Sequence, residues 1–91
     1  MTYELEFDPR ALKEWSKLGD TVKNQFKKKL AGVLANPRVE SARLHNLPDC
    51  YKIKLKASGY RLVYQVQDSV ITVFVIAVGK REKSATYHDA N

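Results

Sequence analysis

Residues 51–64 hold two short period-two patterns separated by a turn, and this constrains the fold more than any other stretch of the chain. Tyr51-Lys52-Ile53-Lys54-Leu55-Lys56 alternates apolar with cationic side chains, and Gly59-Tyr60-Arg61-Leu62-Val63-Tyr64 follows directly. Side chains on a strand point to opposite faces in turn, so Ile53 and Leu55 take one face and Lys52, Lys54 and Lys56 the other. A four-residue Lys56-Ala57-Ser58-Gly59 loop pairs Leu55 with Tyr60, Lys54 with Arg61 and Ile53 with Leu62. An odd loop would mix the faces, so the even one is expected. Neighbouring lysines on that face stand about 7 Å apart at ~3.3 Å rise per residue, and they repel one another unless an anion lies among them.

The rest of the chain supplies a partner for the apolar face. Tyr3, Leu5 and Phe7 alternate with Glu4 and Glu6, predicting a half-buried first strand that Asp8-Pro9 stops. Asp8 suits an N-cap and Pro9 the first helical position. This predicts a helix over residues 9–18, with Ala11, Leu12, Trp15 and Leu18 on one stripe. Gly19 closes it, Asp20 caps the next, and a second helix over residues 21–35 is expected to bury Val22, Phe26, Leu30, Val33 and Leu34. In that helix Lys23, Lys27 and Lys28 face outward, and the Lys27-Lys28-Lys29 run reads as a solvated helix side. Asn36-Pro37 ends it. Residues 38–48 are a loop or a short helical turn.

A meander of three strands follows, over residues 50–55, 60–67 and 70–78. Asp68-Ser69 suits a two-residue hairpin loop, pairing Gln67 with Val70, Gln65 with Thr72, Val63 with Phe74 and Arg61 with Ile76. Ile53, Leu62, Tyr64, Val73 and Val75 then share the face covered by the helices, and Lys52, Lys54 and Arg61 share the open face. The last strand is apolar on both sides, which predicts a central position. The expected architecture is a single α+β domain over residues 1–91, a helical hairpin packed on one face of an antiparallel sheet. Trp15, Phe26, Tyr60 and Tyr64 belong to its core, with Cys50 a small buried residue.

Charge narrows the class of partner. Sixteen Lys and Arg against ten Asp and Glu give a net charge of +6 and a pI near 9.6, favouring nucleic acid, an acidic membrane or an acidic protein. One cysteine precludes an internal disulfide and a multi-cysteine metal site. The opening Met-Thr-Tyr-Glu-Leu-Glu lacks the basic-then-apolar layout of a signal peptide, and the apolar run over residues 70–78 is far short of the ~20 residues of a membrane helix. A cytoplasmic protein without membrane contact is expected.

Four segments carry a family likeness: Pro48-Asp49-Cys50-Tyr51-Lys52-Ile53-Lys54-Leu55, Gly59-Tyr60-Arg61-Leu62-Val63-Tyr64, Val78-Gly79-Lys80-Arg81-Glu82, and Tyr87. With the order of elements they closely resemble the RelE toxins of bacterial type II toxin–antitoxin modules. The resemblance implies a microbial-RNase-like fold and a nuclease that enters the ribosomal A site and cuts the messenger there. It also implies neutralisation by a RelB-like antitoxin and contact with operator DNA only through that complex. By motif position the catalytic residues would be Lys52, Lys54, Arg61, Arg81 and Tyr87. Apart from the motif, Arg43, His45, Lys56, Lys80 and Lys83 are expected as flanking RNA contacts. Neither a cofactor nor a metal is expected. The non-enzymatic alternatives are a same-fold toxin directed at gyrase and a plain nucleic-acid-binding module.

The chemistry can be argued from residue types. Metal-free RNA cleavage needs a base for the 2′-OH proton, cations for the charge growing on the phosphoryl group, and an acid for the leaving 5′-oxygen. Neither histidine lies in the strand pair, so Lys54 is the candidate base. A free lysine has a pKa of ~10.4, and the adjacent Lys52 and Arg61 charges disfavour its protonated form. Arg61 and Arg81 suit bidentate contact with phosphate oxygens. The family view gives Arg81 the acid role, but a guanidinium does not readily release a proton, so charge stabilisation ranks first.

Tyr87 is read as a platform for an exposed base. Tyr87→Phe is expected to keep most of the activity and Tyr87→Ala to lose about tenfold or more, in line with stacking worth roughly 1–3 kcal/mol. Single-turnover cleavage of ribosome-bound messenger measures both. Equal loss in the two variants would transfer the role from the ring to the phenol.

Overall fold

The computed structural model describes residues 2–80. In chain order the elements are β1 (Glu4–Phe7), α1 (Pro9–Ser16), α2 (Asp20–Ala35), a 3-10 turn (Glu40–Ala42), β2 (Cys50–Leu55), β3 (Tyr60–Gln67), a second 3-10 turn (Asp68–Val70) and β4 (Thr72–Lys80). They form one four-stranded sheet in the order β1-β4-β3-β2. The β2–β3–β4 meander is antiparallel, as expected. The sheet as a whole is mixed, because β1 runs parallel to β4, with Leu5 beside Val73 and Phe7 beside Val75. Alternation marked β1 as a strand but carried no information about its neighbour.

Helix α1 starts as expected: the Asp8 carboxylate accepts from the Arg10 N–H at 2.9 Å, and Pro9 occupies the first turn. It ends at Ser16, two residues early. The Lys17 and Leu18 N–H groups donate to Glu14 and Trp15 carbonyls, tightening the last turn while leaving Leu18 buried. The stripe that faces the sheet is Ala11, Trp15 and Leu18. Leu12, assigned to it from the sequence, lies on its flank and is 49% exposed. For α2, Gly19 is the N-cap and Asp20 lies in the first turn, where its charge complements the helix dipole.

Both helices cover one face of the sheet. Phe26, Leu62, Tyr64, Val73 and Val75 are fully buried there, and Ile53, Leu55 and Leu30 are nearly so. At ~1.5–3 kcal/mol for each large apolar side chain, this layer is the main source of stability. Trp15 ties three elements together, its ring 5.3 Å from that of Phe7 and 6.0 Å from that of Phe26. The Tyr64 ring stacks on Tyr51 at 5.6 Å, and its hydroxyl donates to the Pro37 carbonyl at 2.8 Å. Burial pushes the Tyr64 phenol up to about 12, so the group stays neutral across the ordinary range.

The first hairpin has the expected register: Leu55 faces Tyr60, Lys54 faces Arg61 and Ile53 faces Leu62. Gly59 takes φ 76°, the left-handed conformation that glycine adopts without penalty. The second hairpin departs from expectation. Gln67 pairs with Thr72 and Gln65 with Phe74, because the chain makes a 3-10 turn over Asp68–Val70 and then passes through Ile71 at φ 49°. A bulge between Val63 and Tyr64 adds a further step. Arg61 therefore faces Gly79 and not Ile76, and Val63 faces Ala77. β4 is central, with β1 on one side and β3 on the other.

A polar cluster locks the loop after α2 onto one end of the sheet. The Arg38 guanidinium donates to Asp68 at 2.6 Å, to Asp49 at 3.1 Å and to the Tyr51 hydroxyl at 3.2 Å. The Tyr3 hydroxyl donates to the other Asp68 oxygen at 2.6 Å. One carboxylate thus joins the residue that precedes β1, the α2–β2 loop and the β3–β4 turn. The hydrogen bond from Tyr3, and then that from Arg38, hold the Asp68 carboxyl below its ordinary value of 3.8. A carboxylate with a depressed folded pKa contributes stability above the unfolded value and loses it as pH falls through the folded one. Asp68→Asn should therefore weaken thermal stability near pH 7 and flatten its decline below about pH 4. Melting temperatures across pH 2–7 check this, and parallel curves for the two proteins would contradict it.

Candidate active site

Strand register places the site. Lys54 and Arg61 are directly opposed across the β2–β3 ladder, and Lys52 faces Val63 one step along the same open face. Opposed residues in an antiparallel pair have Cβ atoms about 4.5–5.5 Å apart, so the ammonium and guanidinium groups can reach one phosphate together. The three cations differ in exposure. Lys54 is exposed and Lys52 half-buried, while Arg61 is only 8% exposed, with its Nε and Nη1 atoms buried. The sequence placed all three on an open, solvated face; the face is right, and Arg61 sits deeper than alternation alone conveys. The bulge accounts for part of its setting, because it advances the β3–β4 pairing by one residue and so puts Gly79, which has no side chain, opposite Arg61 where an unbulged ladder would put Val78.

The flanking candidates fall around this pair. Lys56 is exposed at the start of the β2–β3 loop. Lys80 ends β4 opposite Tyr60, its Nζ 5.5 Å from that ring's centre, which puts the end of β4 beside the β2–β3 loop. Arg43 makes an isolated antiparallel bridge to Tyr51, and the Leu44 N–H donates to the Cys50 carbonyl at 2.9 Å. This short segment covers the outer edge of β2 at its beginning only. It sets Arg43 and the exposed His45 beside the Lys52 end of the site, with the Arg43 guanidinium 3.9 Å from Glu40. Arg81, Lys83 and Tyr87 lie outside the described residues.

Two further lysines adjoin the site. Lys28 and Lys29 of α2 line clefts between the helix and β2, together with Lys54. The sequence placed Lys28 and Lys29 on a solvated helix side. The signal that marks them is the stripe Gln25, Lys28, Lys29, Gly32, Val33, at helical spacing, whose last member is core. Cys50 is buried as expected, and desolvation raises its thiol pKa, so it is an inert packing residue. Among the described residues, no cluster of three or more His, Cys, Asp or Glu side chains is placed to hold a metal ion. Among the same residues, no helix is long and apolar enough to cross a membrane.

A helical hairpin on a small mixed sheet, with Lys54 and Arg61 opposed on the face away from the helices, defines a small α+β protein. Comparison with known proteins makes the class specific. Residues 5–85 match the family described as the ParE toxin of the type II toxin-antitoxin system parDE. The mRNA interferase toxin RelE of Escherichia coli (strain K12) is 63% identical over 90 residues, covering 99% of this chain and 95% of the relative. The crystal structure of the isolated E. coli RelE toxin superposes with a TM-score of 0.86 at 62% identity, covering 97% of this chain and 94% of that one. The toxin in the intact E. coli RelBE toxin-antitoxin complex does so with a TM-score of 0.84 at 65% identity, covering 86% and 95%. The chain belongs to the ParE/RelE family of type II toxins, on its RelE branch.

Proposed function

We propose that the protein is a toxin that inhibits translation by cutting messenger RNA in the ribosomal A site. The observation that carries this reading is the Lys54–Arg61 pair with Lys52 beside it, on the sheet face away from the helices, in a chain 63% identical to an mRNA interferase toxin. Identity at that level to RelE proteins disfavours the gyrase-directed and plain binding alternatives. Its partners are the ribosome carrying messenger and a RelB-like antitoxin, and it reaches operator DNA only through the toxin–antitoxin complex. Its place of action is the cytoplasm.

In this mechanism Lys54, in its neutral form, takes the proton from a 2′-OH. The 2′-oxygen attacks the adjacent phosphorus, the bond to the 5′-oxygen breaks, and that oxygen takes a proton from water while the protonated Lys54 returns its own to solvent. The products are a 2′,3′-cyclic phosphate and a 5′-OH. Arg61 and Arg81 hold the non-bridging oxygens as charge builds on them, the task for which a planar two-pronged donor is suited. Lys52 adds positive charge beside Lys54 and so favours its neutral form. Tyr87 stacks on an exposed base. Arg43, His45, Lys56, Lys80 and Lys83 contact the flanking RNA. A lysine is a poor base near neutrality, so cleavage of free RNA should be slow. The ribosome, by fixing the 2′-OH in line with the leaving oxygen, supplies the missing orientation.

The decisive experiment is to incubate the protein with programmed ribosomes and, separately, with the same RNA alone, and to map the ends. Cuts confined to the A-site codon on ribosomes are expected. Comparable cutting of naked RNA would make it a ribosome-independent nuclease, and no cutting in either arm would remove the nuclease reading.

Two substitutions test the roles. Lys54→Ala should slow single-turnover cleavage by about a hundredfold or more, the size of a lost general base, with the fold intact because the side chain is exposed. Cleavage within a few-fold of the original would exclude Lys54 from the chemistry. Arg61→Lys keeps the charge but loses the fork, so it should slow cleavage about tenfold or more while ribosome affinity changes little. If affinity fell and the chemical step did not, Arg61 would be a binding group.

A further inference from the structure

The outer edge of β2 is covered only at its start, where Arg43 bridges to Tyr51. Beyond that point two adjoining clefts, of about 360 and 520 Å³, run between β2 and α2. They share Lys29 and Lys54, so they form one trough. Lys52, Lys54 and Lys56 line it along the strand, and Lys28 and Lys29 line it along the helix. At ~3.3 Å per strand residue, the three strand lysines alone cover about 13 Å. Among the described residues, no aspartate or glutamate lines either cleft. Among the same residues Lys28, Lys29, Lys52 and Lys56 form no ion pair.

Five ammonium groups along one groove, with no acidic side chain in its described lining, match a chain of phosphates. Lysine is a compact point charge, suited to phosphate contact without selecting a base. The one aromatic side chain among the described lining residues, Tyr64, is fully buried and hydrogen-bonded to Pro37, so it offers no exposed ring on which a base can stack. The floor, from Val33 and Ile53, is apolar. The trough therefore recognises backbone and not sequence. Its continuity with the catalytic strand says whose backbone: a strand whose reacting phosphate lies at Lys54 and Arg61 needs only to turn over the edge of β2 to enter it.

We propose that this trough is a messenger-holding subsite, in which Lys28 and Lys29 bind phosphates of the nucleotides flanking the cut codon on the same RNA strand. The proposal rests on the nuclease reading above, and it assigns those two lysines a role in substrate binding. It makes the extent of contacted RNA longer than the reacting codon, on one side only.

The test uses single-stranded RNAs with a 2′-deoxy sugar at the cleavage position, lengthened stepwise at either end and bound to the free protein across a salt series. For the original protein, lengthening at one end is expected to raise affinity several-fold and lengthening at the other to do little. In Lys28→Gln/Lys29→Gln that gain should vanish. The slope of log affinity against log salt should also fall by about 1.4, at ~0.7 for each single-strand phosphate that is no longer neutralised. Lys23→Gln/Lys27→Gln removes the same charge from positions that line neither cleft and should retain both the gain and the slope. No length dependence, or equal loss in the two double variants, would overturn the proposal. An intact length gain in Lys28→Gln/Lys29→Gln with weakened ribosome binding would also overturn it, transferring these lysines to ribosomal RNA. Because the readout is binding, it is separate from the nuclease reading. That reading stands or falls on end-mapping with ribosomes, whatever the length series shows.

Discussion

The β2–β3 register holds two cations against each other, and everything functional on the sheet depends on it. Lys54 opposite Arg61 is an unfavourable like-charge pair, costing on the order of 1 kcal/mol at 4 Å in water and more where solvent is reduced. The same register buries Ile53, Leu55, Leu62 and Tyr64, each worth ~1.5–3 kcal/mol, so the hydrophobic layer decides the pairing and the repulsion is carried as a local cost. A slip of one residue would exchange the faces and drive lysines into the core. The cations are thus held together by groups on the opposite face. Like charges so placed favour a negatively charged group that comes close to both.

That register was legible because two signals agreed, alternation on both strands and an even loop, and Gly59 supplies the positive φ that the turn then takes. The neighbouring hairpin lacked such agreement. Asp68-Ser69 looks like a two-residue turn, yet the chain closes through a 3-10 turn and puts Ile71, a β-branched residue, in the left-handed region. Residue propensities argue against that conformation, and the surrounding structure overrides them. Asp68 is held by Arg38 and Tyr3, from segments 30 and 65 residues away in sequence, and such long-range partners leave no mark on a local pattern. The bulge at Val63 and Tyr64 is equally silent, although it determines that Gly79 stands beside Arg61.

The candidate site was legible to the same degree. Lys52, Lys54 and Arg61 follow from parity and are brought together as expected. The depth of Arg61 does not follow, because parity gives a face and not the height of the surroundings. Lys28 and Lys29 were hidden for a different reason. On a helix a lysine run reads as solvated surface unless the strand packed beside it is known, and only the tertiary arrangement shows that this stripe borders β2.

The placement of β1 has a consequence for how the chain acquires its structure. Among the described residues β1 is the first strand along the chain, but its hydrogen-bonding partner in the sheet is the last: Glu4 pairs with Thr72 and Phe7 with Val75. Until β4 is available β1 has no ladder to join, and Trp15, packed on Phe7, lacks its settled neighbour. Closure over so long a span is entropically late, and contacts of this separation slow folding. Among the described residues the sheet is therefore complete only once β4 is in place, so a chain cut before Thr72 would hold the strand pair carrying Lys52, Lys54 and Arg61 without the central strand that supports it.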